Sequence, residues 1–170
     1  MSPRVVLIGA PGSGKTTVGR ALARDLGVEF LDTDAEIERL AGKSISDIFI
    51  EQGEAAFRDL ETAALRSALE SSTGVVSLGG GVVLRPENRA LLAGQPVVWL
   101  EVTLADAADR VGLATARPVL VGNVRGKLME LLQERTPLYT EVARHRVSTH
   151  MKKPSEVASE VLAQIGAPHA

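Results

Sequence analysis

The chain contains no cysteine. Disulfides, thiolate metal sites and a cysteine nucleophile are therefore excluded, and the composition fits a reducing compartment. Aromatic residues are scarce as well, at 3% with one Trp, one Tyr and three Phe, so the core must be mainly aliphatic. No apolar run approaches the roughly 20 residues that span a bilayer. The first residues, MSPRVVLIGAPG, run directly into a short apolar segment and a glycine loop, which leaves no room for a signal or transit peptide ahead of it. An excess of positive charge is missing too. Nineteen Lys and Arg stand against 21 Asp and Glu, for a net charge of −2, whereas a nucleic-acid binder usually carries a basic stripe. What remains is 170 residues, 45% apolar and 24% charged, an ordinary globular composition of single-domain length. The expectation is one soluble, cytoplasmic domain over residues 1–170. Nothing demands a nucleic acid, a membrane or more than a monomer.

Short aliphatic runs alternate with longer helical patterns. RVVLIG (4–9), VEFLD (28–32), GVVSL (74–78), PVVWLEV (96–102) and RVST (146–149) read as strands, while Thr16 to Leu26, Gly53 to Leu69 and Val124 to Arg135 have helical spacing. Continuous apolar strands separated by helices predict an α/β fold, a parallel sheet covered on both faces. Two regions interrupt the alternation. Residues 33–61, roughly, insert extra helix between the second and third strands. Residues 112–123, GLATARPVLVGN, hold two glycines and a proline without a period. A loop of that length in a compact domain is usually functional, and a mobile lid is the functional interpretation.

Residues 9–16, GAPGSGKT, match G-x-x-x-x-G-K-[ST], with a strand before and a helix after. Glycines at 9, 12 and 14 admit backbone angles that other residues resist. Successive N–H groups can then turn inward around a phosphate at the positive end of the following helix. Lys15 brings a charge to the β and γ phosphates, and the Thr16 hydroxyl is placed for Mg²⁺. Gly12, Ser13, Gly14, Lys15, Thr16 and Thr17 are accordingly the candidate ATP-binding residues. No N-K-x-D guanine-reading tetrapeptide occurs in the chain, which weighs against a GTPase.

A phosphoryl acceptor must be held in line with the γ-phosphate, on loops at the carboxyl ends of the strands. Three stretches qualify. In LDTD (31–34), Asp32 can reach the Mg²⁺ region, while Asp34 is displaced toward the inserted helices and an acceptor hydroxyl. Either could instead cap the helix that follows. In GEAAFRDLE (53–61), Glu61 is three residues after Arg58 and can orient its guanidinium toward a carboxylate, although a solvated surface pair has the same spacing. In SLGGG (77–81), three consecutive glycines suit close approach of a ligand to backbone better than a strand or helix interior.

Three later arginines are candidates with bland alternatives. Arg117 can close from the lid on the phosphates, or be a solvated loop charge. Arg135 can anchor an acidic substrate, or favour a helix C-terminus. Arg110 can stack on a base, or sit on a helix surface. Trp99, Leu138 and Tyr139 look like packing, and His145, His150 and His169 lack ligand spacing.

Taken together, GAPGSGKTTVGRALA, LDTD, GKSISDIF, GEAAFR, SLGGG, ARPVL and ERTPLY occur in an order and spacing that resemble shikimate kinases, from about Val5 to Leu162. The resemblance implies a P-loop three-layer α/β/α fold with a five-stranded parallel sheet in the order 2-3-1-4-5. It implies transfer of the ATP γ-phosphate to the 3-hydroxyl of shikimate. By that resemblance Asp34, Arg58, Arg135 and the Gly79, Gly80 and Gly81 backbone hold shikimate, with Phe49, Phe57, Glu61 and Pro118 supporting the pocket. Lys15 and Arg117 act on the phosphates, Thr16 and Asp32 serve Mg²⁺, and Arg110 and Pro154 flank the adenine. The lid keeps its arginine and is otherwise variable. STHMKKP (148–154) keeps the proline of an adenine loop and little else. A related kinase for another acidic polyol, such as gluconate, is the alternative. A nucleotide-binding regulatory module without catalysis would not need the set Lys15, Thr16, Asp32, Asp34 and Arg117.

Overall fold

Four residues with no exposed surface, Val5–Ile8 (β1), form the middle of the sheet. Side chains alternate across a strand, so Val6 and Ile8 enter one apolar layer and Val5 and Leu7 the other. The computed structural model describes the backbone of residues 2–114 and 121–166, and the side chains of these outside 111–124. Five parallel strands run in the order β2-β3-β1-β4-β5, with β2 at Phe30–Asp32, β3 at Val75–Ser77, β4 at Val97–Glu101 and β5 at His145–Ser148. All five expected strands are present; the first four are trimmed by one or two residues at their ends, and the fifth, expected at 146–149, lies one residue earlier.

Helices α1 (Lys15–Leu26) and α8 (Pro154–Ile165) cover the face that takes Val5 and Leu7. Helices α4 (Glu54–Ser71), α5 (Pro86–Leu92), α6 (Leu104–Ala114) and α7 (Val121–Val142) contribute to the other layer. The insertion after β2 consists of α2 (Thr33–Ala41), α3 (Ile45–Gln52) and the first turns of α4. Ile37, Ile48 and Phe57, one from each of these helices, close a small apolar cluster of their own, with Phe49 against it. The insertion is thus fastened by its own packing rather than by the main core.

One expectation needs correction. Helix α7 continues to Val142 instead of stopping at Arg135, so Arg135 is a helix-interior residue and the C-terminal dipole does not explain it. The expected lid, 112–123, falls largely outside the described residues. Arg117 and Pro118 lie outside the described residues.

The register aligns the strand ends that carry the motifs. Ser77 is level with both Leu7 and Asp32, and Trp99 with Ile8. The glycine loop after β1, the Asp-Thr-Asp after β2 and the triple glycine after β3 therefore emerge side by side. The strand order reverses beside β1, which is where open α/β sheets bind their ligands.

Candidate active site

The loop from β1 to α1 turns sharply at Gly12 (φ 81°) and Gly14 (φ 87°), left-handed angles that cost an L side chain free energy. Gly14 caps α1 without a side-chain hydrogen bond, and the first turn of α1 contains no acidic residue. Its N–H groups and the helix dipole are left for an anion. Lys15 Nζ folds back over this loop, donating to the carbonyls of Gly9 (2.7 Å) and Ala10 (3.2 Å). Burial pushes its ammonium down to about 8 from the ordinary 10.5, against the opposing pull of Asp34 and Asp32.

Two cavities flank the loop. One, of about 220 Å³, is lined by Lys15, Thr16, Asp32, Asp34 and Ser77 among others. The second, of about 290 Å³, is lined by Ser13, Thr17, Arg110, Lys152 and Pro154. Arg110 does something neither sequence alternative foresaw: its Nη1 donates to the Gly12 carbonyl at 2.7 Å. It braces the phosphate loop from α6 while bordering the second cavity.

Asp32 and Asp34 take different surroundings. Asp32 Oδ1 accepts from the Asp34 N–H at 2.9 Å and caps α2, while Oδ2 accepts from the Thr16 hydroxyl at 3.3 Å. It caps α2 and meets the Thr16 hydroxyl at once. A hydroxyl, one carboxylate, phosphate oxygens and water are the hard oxygen donors that Mg²⁺ takes, so Thr16 and Asp32 fit a magnesium-nucleotide. Thr33, between the two aspartates, is buried and donates to the Ser77 carbonyl at 3.3 Å. That bond ties the start of α2 to β3 and fixes where Asp34 projects. Asp34 Oδ1 is buried without a hydrogen-bond partner among the described residues. Burial, with Asp32 beside it, holds its carboxyl above the ordinary carboxylate range, while Lys15 and Arg58 pull the other way.

The next pair is not a solvated surface bridge. Arg58 Nη1 donates to Glu61 Oε1 at 2.8 Å, with the side chains only 13% and 2% exposed. The guanidinium also lies 5.2 Å from the Phe57 ring centre, and Phe57 is stacked 4.8 Å from Phe49. Burial raises Glu61, and the hydrogen bond from Arg58 holds it down.

The triple glycine is where these groups converge. A Cβ on Gly79 would stand 2.6 Å from Asp34 Oδ1 and 3.0 Å from Glu61 Oε2. One on Gly80 would stand 3.3 Å from Arg135 Nη1, and one on Gly81 would meet the Arg58 guanidinium. Each glycine thus faces a different candidate acceptor residue, so the loop is a wall of the site and not a loose turn. Arg135 Nε is also buried without a partner among the described residues.

The structure therefore brings together Lys15, Thr16, Asp32, Asp34, Arg58, Glu61, Gly79–Gly81 and Arg135, with Gly12, Ser13, Gly14, Thr17, Arg110 and Pro154 on the nucleotide flank. Phe49 and Phe57 act as packing beneath Arg58. Several residues escaped the sequence: Thr33, Ser77, and the buried Thr62–Asn88 pair. Asn88 accepts from Thr62 Oγ1 at 2.9 Å and donates to the Val82 carbonyl at 3.0 Å, bolting α4 to the end of the glycine loop. Only the buried side of α4, read together with the strand registers, could have pointed to them. The sequence points to packing alone for Tyr139. Its ring does pack, but its hydroxyl also donates to the Gly80 carbonyl at 2.6 Å.

Comparison with known proteins gives a consistent result. The family model described as shikimate kinase matches residues 11–166. A shikimate kinase of Thermobifida fusca is 58% identical over 165 residues, covering 97% of this chain and 96% of the relative. A solved shikimate kinase from Acinetobacter baumannii, in complex with shikimate, superposes with a TM-score of 0.91 at 38% identity over 98% of this chain and 94% of that one. A gluconokinase from Sinorhizobium meliloti superposes with a TM-score of 0.59 at 21% identity over 95% of this chain and 90% of that one, a likeness of fold alone.

Proposed function

Because this chain belongs to the shikimate kinase family, we propose that it transfers the γ-phosphate of ATP to the 3-hydroxyl of shikimate, giving shikimate 3-phosphate and ADP. One observation carries the acceptor side. Two buried polar atoms lack partners among the described residues, Asp34 Oδ1 and Arg135 Nε, and they border the same glycine loop. A compact molecule with a carboxylate for the guanidinium and hydroxyls for the aspartate would satisfy both. Arg58, lying over Phe57 and fixed by Glu61, is the second guanidinium for that carboxylate. Paired arginines suit a carboxylate because their forked donors match its two oxygens.

The chemistry asks mostly for positioning. Phosphoryl transfer passes through a loose transition state, so in-line placement and charge neutralisation dominate. The bond from the γ-phosphorus to its bridging oxygen breaks, and a bond to the acceptor oxygen forms. The acceptor proton leaves that oxygen, with Asp34 the carboxylate placed to orient and receive it. A carboxyl lifted above its ordinary range is better suited to take a proton than a fully solvated one. Lys15 supplies positive charge at the transferring phosphoryl, and the proposed lid residue Arg117 joins it from its side. Gly12 to Thr17 hold the polyphosphate, and Arg110 and Pro154 border the nucleobase. Thr16 and Asp32 would hold Mg²⁺, whose charge offsets that of the phosphates.

We take residues 1–170 as one kinase domain, with 33–61 as its acceptor-binding region, working as a single chain in the cytoplasm. Among the described residues no helix is long and apolar enough to cross a membrane. The test is an ADP-release assay with shikimate, gluconate and other hydroxy acids. Shikimate is expected to drive ADP release and to gain one phosphoryl group by mass. Turnover with gluconate and not shikimate, or ATP consumption that ignores every acceptor, would overturn the proposal.

A further inference from the structure

The loop that carries Gly79–Gly81 is held at its midpoint from an unexpected direction. Tyr139 has no exposed surface, and its ring centre lies 5.6 Å from that of Trp99 on β4. Its hydroxyl reaches across the layer to the Gly80 carbonyl at 2.6 Å, a partner 59 positions away in sequence. Arg135 is one helical turn earlier on α7 and so shares a face with Tyr139, and its Nη1 would stand 3.3 Å from a Cβ on the same glycine. One helix therefore bonds the Gly80 carbonyl and crowds the glycine's flank.

The peptide geometry makes this grip directional. In a trans peptide the C=O and the next N–H point in opposite directions. With the Gly80 carbonyl drawn toward α7, the Gly81 N–H points away from it, and Gly81 is the glycine that faces Arg58. None of the N–H groups of Gly79, Gly80 and Gly81 donates to another described residue. Freeing the Tyr139 bond would let this peptide rotate, since glycines on both sides offer little resistance.

We propose that Tyr139 is a positioning residue for the acceptor site: its hydroxyl locks the Gly80–Gly81 peptide so that the Gly81 N–H is presented to the bound acid alongside Arg58 and Arg135. The proposal rests on the acceptor assignment above and deepens it. The phenol stays a donor throughout the working range, because burial pushes it up to about 12.

Tyr139→Phe keeps the ring and removes only the hydroxyl. It should raise the KM for shikimate about five- to twentyfold, the effect of one well-placed hydrogen bond together with its misdirected partner. The KM for ATP should stay within twofold, and the melting temperature should fall by only a few degrees. Unchanged KM values, or a rise in both together, would overturn it. Trp99→Phe is the control, loosening the packing under the ring without touching the hydroxyl; it should lower the melting temperature and leave the shikimate KM alone. A second measurement needs no mutation. Tyr139 is the only tyrosine, so protein labelled with 3-fluorotyrosine carries a single ¹⁹F reporter there. Its resonance should move on adding shikimate and not on adding ATP alone; no movement with shikimate would refute the coupling. If the wild-type protein fails to phosphorylate shikimate, the functional proposal is at fault; if it succeeds and Tyr139→Phe matches it, only this inference fails.

Discussion

Gly81→Ala offers the cleanest test of how the acceptor site is built. Gly81 has φ −96° and ψ 5°, angles that any residue can adopt, so alanine there brings no backbone strain. What it brings is a methyl group 2.7 Å from Arg58 Nη2 and 2.8 Å from its Cζ. Ordinary contact begins near 3.4 Å, so the guanidinium must retreat by at least about 0.7 Å, and by more at Nη1, the nearest of its atoms and the one bonded to Glu61. It is the end of a flexible side chain and can do so, but the move strains its 2.8 Å bond to Glu61, whose side chain is 2% exposed. Loss of a hydrogen bond to a charged partner costs about 1.5–3 kcal/mol. If the displaced guanidinium no longer meets the substrate carboxylate, the same range translates into a shikimate KM raised roughly ten- to a hundredfold. Glu61, left with a poorer partner, should cost stability of the same order, or about 3–10 °C in melting temperature for a chain of this size. A coupled assay yields both KM values, and a thermal melt the stability. A shikimate KM within twofold of wild type would refute the assignment of Arg58 to the acceptor. Equal weakening of ATP and shikimate would refute the separation of the two subsites.

Lys15 sets the alkaline limb. Its ammonium is lowered to about 8 and must be protonated to meet phosphate, so kcat/KM for ATP should fall roughly tenfold per unit above that value. The sign for stability is opposite. The folded state binds fewer protons than the unfolded chain between about 8 and 10.5, so the cost of burying this charge, full below pH 8, is relieved as pH rises through that window. Melts of wild type and Lys15→Met should therefore converge with rising pH. Asp34→Asn should lower kcat about 10²- to 10⁴-fold with ATP affinity unchanged by calorimetry. Because the Asp34 carboxyl is raised, the wild-type kcat should decline with falling pH from a point above the ordinary 3.8, and the variant should lose that limb. Arg110→Ala removes the brace on the Gly12 carbonyl and should raise the KM for ATP about five- to tenfold, leaving the shikimate KM in place.

How much of this could be read from the chain depended on how local the information was. The phosphate loop is legible because its glycines, lysine and threonine act within eight consecutive positions. The strands are legible because β1 and β4 are buried on both faces and must be continuously apolar. LDTD was legible as a pair of functions, but assigning them needed the register that sets Asp32 level with Ser77. Arg58 and Glu61 have the spacing of any surface bridge. What distinguishes them is burial, and burial is decided by α2 and the glycine loop, which are distant in sequence. Arg135 was harder still. Pro137 follows it closely, and a proline reads as a helix stop, yet α7 continues to Val142. The bond from Tyr139 to Gly80 leaves no local trace, since a buried tyrosine ring and a buried tyrosine ring with a task look alike.

The electrostatics of the cavity explain why its groups are held in such uncomfortable states. Burial lowers Lys15 and raises Asp34, so in each case the protein favours the neutral form of a group that must act as a charge or a base. Solvated equivalents would carry their charge without cost, but would also be screened by water and freely mobile. Placing Lys15 against the loop carbonyls and Asp34 behind Gly79 removes that screening before any ligand arrives, and reorganisation need not accompany the reaction. The ligands then supply what the site lacks. On the proposed assignment, phosphate would give Lys15 its counter-charge, and an acceptor hydroxyl would give Asp34 Oδ1 the donor it is missing. The two groups are coupled to each other as well, since Asp34 is the largest of the influences that oppose the lowering of Lys15. Lys15 and Asp34 thus belong to one charge network. Asp32 closes that network from the opposite side, with one oxygen on the α2 cap and the other on Thr16, so the helix that carries Asp34 begins on the residue that meets the Thr16 hydroxyl.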